Sequence, residues 1–346
     1  MGVLEFNKLT AEHVQKLLEH FETSQWNHIV DTKLVSQYPI ITRDELRQLK
    51  MEKGLFQTKT SGSTGEPVTI EKTYNDHIWY IATNIREFRW RKWDVTKNVA
   101  IVRFRGKNEE KDGWGIPRTI EPTQGKSYVK VAGTISEIQT WLEEKNPHYL
   151  QCPPSIVSQL DLTKITNLID YKGTGEVGGS MYSSEECGTI AIQCPKNPEN
   201  YHVMENQIVE VDNGAMIIST MTNPYIKRYK HGDHIELGSC GCGRSLQTIK
   251  KIKGRVRNMF TLPNGDKTWP IIGSKEYYDR FGIKRYKAIQ TSLGELELQI
   301  ISEPLGDKES ELISLVVESL NSPINVTIKY VDEFPNYKFE EFVSMI

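Results

Sequence analysis

Residues 58–67 read Thr-Lys-Thr-Ser-Gly-Ser-Thr-Gly-Glu-Pro and run directly into the β-like stretch Val-Thr-Ile-Glu-Lys at 68–72. Glycines adopt positive φ and let a backbone approach a ligand closely, while the hydroxyls and free N–H groups beside them suit phosphate oxygens. The stretch therefore predicts a triphosphate cradle set between a polar approach and a strand. It is not the Walker pattern, because no Gly-Lys-Ser/Thr closes it and no lysine there is placed to reach the β- and γ-phosphates. A flexible Ser/Gly turn satisfies the same residues, so the rest of the chain has to decide.

Residues 9–21 show helical spacing, with Thr10 as the expected cap and Leu17, Leu18 and Phe21 on the apolar side. A second helix is expected over 73–93, where Trp79, Tyr80, Trp90 and Trp93 fall at near-helical spacing. Such a stripe usually faces a core, although it could also line an aryl pocket. Short strands follow from 95 to 131, clearest at 99–104 and broken by a polar loop at 106–115. A helix over 134–145, a strand at 149–151 and a helix near 155–160 complete an alternation that favours an α/β layered fold. Further on, β-like runs at 284–291, 295–302 and 325–331 surround a helix at 308–320, giving a compact α+β unit.

The chain has 346 residues, enough for two or three domains, and its formal charge of −2 leaves no electrostatic footprint for nucleic acid. The basic cluster Lys250, Lys251, Lys253, Arg255 and Arg257 reads as a solvated or nucleotide-facing segment. No apolar stretch approaches membrane-spanning length, and the N-terminal residues lack the pattern of a signal peptide, so a cytoplasmic protein with no membrane partner is expected. Five cysteines, an odd number without a secretion signal, argue against a disulfide framework. Cys194, His202, Cys240 and Cys242 instead make up the ligand set of a closed tetrahedral structural Zn²⁺ site, with Gly241 easing the tight Cys-x-Cys spacing. Cys187 could replace Cys194, and reduced buried thiols would satisfy the same residues.

Six segments occur in a familiar order: Tyr-Pro-Ile-Ile-Thr-Arg-Asp-Glu-Leu at 38–46, the glycine loop at 61–67, Tyr-Ser-Ser-Glu-Glu at 182–186, Arg-Tyr-Lys-His-Gly-Asp at 228–233, Gly-Arg-Val-Arg-Asn at 254–258 and Asn-Tyr-Lys-Phe-Glu at 336–340. Together they resemble the adenylate-forming superfamily of acyl-coenzyme A synthetases and adenylation domains, most closely a shortened member of the phenylacetate-coenzyme A ligase branch. That branch has a similar cysteine and histidine arrangement. The resemblance implies a large layered N-terminal domain over 1–256 and a small mobile α+β domain over 257–346, with Arg257 at the hinge.

The implied chemistry is ATP-dependent activation of a carboxylic acid as an acyl-adenylate, with release of pyrophosphate and then acyl transfer to a thiol such as coenzyme A. Transfer to an amine or carrier protein is the alternative, and a nucleotide-binding scaffold without turnover is a third reading. Carried over residue by residue, Thr60, Ser61, Gly62, Ser63, Thr64 and Gly65 would cradle the phosphates, with Thr64 also counted among the catalytic groups. Glu186 would hold Mg²⁺, Tyr182 would lie against adenine, Asp233 would take the ribose hydroxyls, Arg255 would contact the nucleotide and Lys338 would bridge the carboxylate and α-phosphate. Glu185 and Glu186 equally suit the first turn of a helix, and Gly232-Asp233 suits a simple turn. The chain departs from the family at Ser183, which replaces a glycine, at Tyr337, and at Glu340 and Glu341, which replace basic residues. The connection at 177–181 is also short.

Overall fold

Thr73 and Asp76 close a capping box, in which the Asp76 N–H donates to the Thr73 hydroxyl at 3.0 Å and the Thr73 N–H to the Asp76 carboxylate at 2.8 Å. This starts the helix Tyr74–Arg91 around which the larger part of the chain is arranged. The computed structural model describes the chain apart from residues 1–2, 61–67, 104–105, 117–119, 121–124, 132–134, 175–178, 256–259, 264–266, 269–276, 278–279, 321 and 335–341.

The strand Val99–Arg103 alternates its side chains between two cores. Val99 packs with Tyr149, Phe88 and Val14, whereas Ala100 and Val102 pack with Leu150, Ile138 and Leu142. The helices Val3–Asn27 and Tyr74–Arg91 therefore contribute to one core, and Ile135–Lys145 contributes to the other. The resulting five-stranded sheet runs Glu109–Asp112, Lys126–Val131, Val99–Arg103, Tyr149–Cys152, Asp170–Gly173. It is parallel except for its first edge strand, as expected where helices cover both faces.

A seven-stranded antiparallel sheet follows, ordered Gln207–Asp212, Ala215–Thr220, Tyr229–Gly238, Thr248–Arg255, Tyr201–Val203, Gly188–Gln193, Met181–Ser184. Its buried residues Ile190, Val203, Met216, Ile218 and Ile249 pack with Val68 and Ile70, which belong to the hairpin formed with strands Phe56–Lys59 and Thr69–Lys72. A third unit is the four-stranded sheet Asn325–Tyr330, Glu295–Ile301, Arg285–Ser292, Phe342–Ser344. Tyr286, Ala288, Leu296, Leu298 and Ile300 on its inner face meet Leu312, Val316 and Leu320 of the helix Glu309–Leu320.

Four expectations need correction. The first helix spans Val3–Asn27, so Thr10 is an interior, buried residue whose hydroxyl lies 3.4 Å from that of Tyr74, and it caps nothing. The stretch 106–115 contains the strand Glu109–Asp112, which has no buried face and therefore no apolar alternation to reveal it. The helix at 155–160 is only the short turn Pro154–Val157. The aromatic stripe divides: Trp93 stacks on Tyr149 at 4.6 Å and Trp79 packs on Phe21 at 5.2 Å, while Tyr80 is exposed. Among the described residues no helix is long and apolar enough to cross a membrane.

Two successive residues of the helix Tyr74–Arg91 carry buried charge. Arg86 forks onto Glu205 at 2.5 and 3.0 Å, and Ser24 also donates to Glu205. Glu87 is paired with Lys172 and accepts from the Ser180 hydroxyl at 2.5 Å. Removing one member of such a pair strands the other charge away from water. Arg86→Met is expected to lower the unfolding free energy by about 3–5 kcal/mol, read from urea denaturation followed by circular dichroism.

Candidate active site and metal cluster

The glycine loop leaves and rejoins the fold through one residue pair. The Thr60 N–H donates to the Val68 carbonyl at 2.9 Å, and the Val68 N–H donates to the Thr60 hydroxyl at 2.9 Å. Ser61, Gly62, Ser63, Thr64 and Gly65 lie outside the described residues, as does Lys338.

Segment 38–46 is laid along strand Tyr229–Gly238 by a parallel bridge at Ile41 and Tyr229. The Ile41 N–H donates to the Arg228 carbonyl at 3.1 Å, and the Lys230 N–H donates to the Ile41 carbonyl at 2.8 Å. Thr42 then caps the helix Arg43–Gln48 in a box with Glu45, so the chain turns sharply at Arg43. The Arg43 guanidinium reaches the Glu186 carboxylate at 3.3 Å and donates to the Thr60 hydroxyl.

Glu186 sits in the turn between strands Met181–Ser184 and Gly188–Gln193, so neither it nor Glu185 begins a helix. Its carboxylate accepts from the Tyr229 hydroxyl at 3.3 Å, and its carbonyl accepts from Lys72 Nζ at 2.9 Å. The neighbouring Glu185 carbonyl accepts from the Thr58 hydroxyl at 3.2 Å. Burial, reinforced by the Glu186 carboxylate, pushes the Tyr229 phenol up, so the hydroxyl remains a donor throughout the physiological range.

Gly232 has φ of +93° at an irregularity in the pairing of strands Ala215–Thr220 and Tyr229–Gly238, and Asp233 follows it. Asp233 is buried and accepts from the Tyr182 hydroxyl at 2.5 Å, and His231 Nδ1 lies 3.2 Å from the same carboxylate oxygen. Across the strand pair Asp233 is opposite Arg255. The rings of Tyr182 and Tyr229 both approach His231, with centroids 6.2 and 6.1 Å away. Thr60, Arg43, Glu186 and Tyr229 thus form one hydrogen-bonded chain, and Tyr182, Asp233 and His231 form a second polar group that meets it through the edge contact of the Tyr229 and His231 rings.

Residue type and periodicity alone do not single out Arg43, Lys72 or Tyr229. Arg43 and Tyr229 do lie inside the ordered segments 38–46 and 228–233, which was the available signal. Lys72 ends a polar-looking strand and gave none, although it is buried.

Cys194, His202, Cys240 and Cys242 come from three different places and meet. Cys194 follows strand Gly188–Gln193, His202 is central in Tyr201–Val203, and Cys240 and Cys242 lie in the turn before Thr248–Arg255. Their ligand atoms all fall within 4.8 Å of one another. The Cys194 and Cys240 sulfurs are 3.7 Å apart, and the Cys242 sulfur is 3.3 Å from His202 Nε2. A tetrahedron of thiolates around a zinc-sized ion has S···S edges of about 3.7 Å, so both the donor set and the spacing fit a closed four-ligand metal site.

Asn197 Nδ2 donates to the Cys240 sulfur at 3.2 Å and the Arg244 N–H to that of Cys242 at 3.5 Å, while Thr248 Oγ1 lies 3.4 Å from His202 Nδ1. Burial, with Arg244 and Arg86 nearby, lowers the His202 imidazole to about 4, so it is neutral at pH 7. The cluster excludes Cys187, which is packed in the core of the seven-stranded sheet, and also His231 and His234. Trp90 meets His202 edge-on with ring centroids 5.8 Å apart, so this member of the aromatic stripe serves the cluster.

No family model matches the sequence, and no curated protein matches it either. Solved structures do. A 2-hydroxyisobutyryl-CoA ligase in the postadenylation state, complexed with 2-HIB-AMP, aligns with 100% of this chain and 90% of its own at a TM-score of 0.65 and 14% identity. An acyl acid amido synthetase in complex with 2,4-DB aligns with 98% of this chain and 91% of its own, with a TM-score of 0.56 and 12% identity. The o-succinylbenzoate CoA synthetase of Bacillus subtilis, in complex with its acyl-adenylate OSB-AMP, covers 81% of this chain and 66% of its own at 0.54 and 11%. The chain has the fold of the adenylate-forming enzymes, a large α/β domain with a smaller C-terminal one.

Burial raises the Cys187 thiol from about 9 to about 12, helped by the Glu186 charge. The folded thiol therefore stays protonated at pH 8, and above pH 9 ionisation favours the unfolded chain. Iodoacetamide at pH 8 should leave Cys187 unmodified in the folded protein and label it fully in denaturant, as mass spectrometry of its peptide would show.

Proposed function

We propose that this chain is an AMP-forming carboxylate ligase that activates a carboxylic acid with ATP and passes the acyl group to a thiol, coenzyme A first among them. The observation that carries this reading is the hydrogen-bonded chain from Thr60 through Arg43 and Glu186 to Tyr229, set beside Asp233 and Tyr182, because it brings three of the ordered segments, 38–46, 182–186 and 228–233, to the residue that precedes the glycine loop.

In the first half-reaction a carboxylate oxygen attacks the α-phosphorus, forming the acyl–phosphate bond as the α–β bridging bond breaks and pyrophosphate leaves. In the second, the acceptor sulfur attacks the acyl carbon, the carbon–oxygen bond to AMP breaks, and AMP departs. Thr60, Ser61, Gly62, Ser63, Thr64 and Gly65 are assigned to the triphosphate, and Lys338 to the oxygens of the reacting carboxylate and α-phosphate. Asp233 is assigned to the ribose hydroxyls, with Tyr182 beside the adenine and Arg255 at the nucleotide. Glu186 is a hard oxygen donor suited to Mg²⁺, which would offset the charge of the departing pyrophosphate.

The mobile small domain is assigned to residues 257–346, pivoting near Arg257 and bringing Lys338 to the site. The Cys194, His202, Cys240 and Cys242 cluster is assigned to Zn²⁺ in a structural role, since four protein ligands leave no open position for chemistry. The placement in the phenylacetate-coenzyme A ligase branch rests on segment 38–46 and on this cluster.

A second reading keeps the adenylation and delivers the acyl group to an amine or carrier protein. The likeness to an amido synthetase over 98% of this chain favours retaining it.

Incubation with Mg·ATP and a panel of acids should yield AMP, not ADP, only when a suitable acid is present. Coenzyme A should then give a thioester, whereas an amide would select the second reading. Lys338→Ala is expected to slow AMP formation about a hundredfold or more while retaining ATP binding, and unchanged turnover would remove Lys338 from the mechanism. Metal analysis should find zinc at one per chain, lost in Cys194→Ser together with a lowered melting temperature and retained in Cys187→Ser. Zinc retained in Cys194→Ser would refute the site.

A further inference from the structure

The Arg43 guanidinium bridges Glu186 and Thr60, the residues assigned above to Mg²⁺ and to the triphosphate. One arm lies 3.3 Å from the Glu186 carboxylate, and the other donates to the hydroxyl of Thr60, the residue at which the glycine loop begins. Lys72 is committed to the Glu186 carbonyl at 2.9 Å and does not neutralise its carboxylate. Arg43 is the first residue of a short helix, where a cation gains nothing from the backbone dipole. Its Nε–H is buried with no partner among the described residues, which leaves an N–H donor of the fork unused.

Glu186 is 5% exposed and Arg43 19%, so the carboxylate needs a cation more than the guanidinium needs an anion. When a divalent cation takes Glu186, that need ends and the planar fork becomes available to phosphate oxygens. We infer that Arg43 is a polyphosphate-binding residue that exchanges partners, holding Glu186 in the nucleotide-free protein and the β- or γ-phosphate of Mg·ATP in the complex. This rests on the proposed nucleotide site. It implies that Arg43 discriminates ATP from AMP, which lacks those phosphates.

Calorimetric titration of the full chain with Mg·ATP and with AMP tests this in wild type, Arg43→Gln and Arg43→Lys, with melting temperatures as a check on folding. Arg43→Gln should weaken Mg·ATP binding about ten- to a hundredfold while AMP affinity stays within about threefold. Arg43→Lys, which keeps the charge but not the fork, should show a smaller loss with the same selectivity, and it decides the matter if Arg43→Gln does not fold. Equal losses for both nucleotides would make Arg43 a structural staple, and no loss for either would remove it from the site; both outcomes overturn the inference and leave the ligase reading standing. Wild-type protein that binds neither nucleotide overturns both.

Discussion

Arg86 and Glu87, adjacent on the helix Tyr74–Arg91, hold the larger part of this molecule in register. Arg86 secures Glu205, in the turn between strands Tyr201–Val203 and Gln207–Asp212 of the seven-stranded sheet, while Glu87 secures Lys172 in the last strand of the five-stranded sheet and Ser180 just before the other. Taking such charges out of water costs several kcal/mol each. Bidentate geometry, the hydroxyls of Ser24 and Ser180, and the stacking of Arg86 at 4.3 Å over Phe21 and 4.8 Å over Trp90 offset that cost. An apolar contact could slide; two forked or multiply bonded ion pairs in successive residues allow one arrangement.

Both candidate sites are built on the seven-stranded sheet that this arrangement fixes. The Glu186 turn and the Asp233 irregularity lie in the seven-stranded sheet, and each is tied by side chains from outside its own strands: Arg43, Lys72 and Tyr229 at Glu186, and Tyr182 at Asp233. The Cys194, His202, Cys240 and Cys242 cluster joins strand-end and turn residues of the same sheet. Its neighbour Arg244 stacks 4.4 Å over Trp90, so the helix that sets the register also backs the Cys/His cluster. A four-ligand metal at this place would cross-link turns that the hydrogen-bond ladder leaves to themselves.

What could be read from sequence follows from what leaves a local trace. Val99–Arg103 stands out as a continuous apolar run because both its faces are buried in different cores, whereas the runs at 285–301 alternate because one face is covered by a helix. The Cys/His cluster is legible because cysteine and histidine are rare and chemically distinctive, and Cys187, the possible substitute for Cys194, is packed in the core of the seven-stranded sheet. Glu109–Asp112 left no trace, being an exposed edge strand, and Thr10 misled because a cap-type residue can also be buried inside a helix against Tyr74. Arg43 and Lys72 owe their positions to pairing between distant segments, Ile41 on Tyr229 and the hairpin on the Glu186 turn, and no periodicity carries that information.

The residues that converge between Thr60 and Asp233 are proposed to form an adenylation site. ATP–pyrophosphate exchange with Mg²⁺, across aryl, fatty and amino acids, tests it most directly because it reports the reversible first half-reaction without needing the acceptor. Exchange should depend on one class of acid and be abolished in Glu186→Gln. Exchange absent with every acid in protein shown to bind ATP, or exchange undiminished by Glu186→Gln, would contradict it.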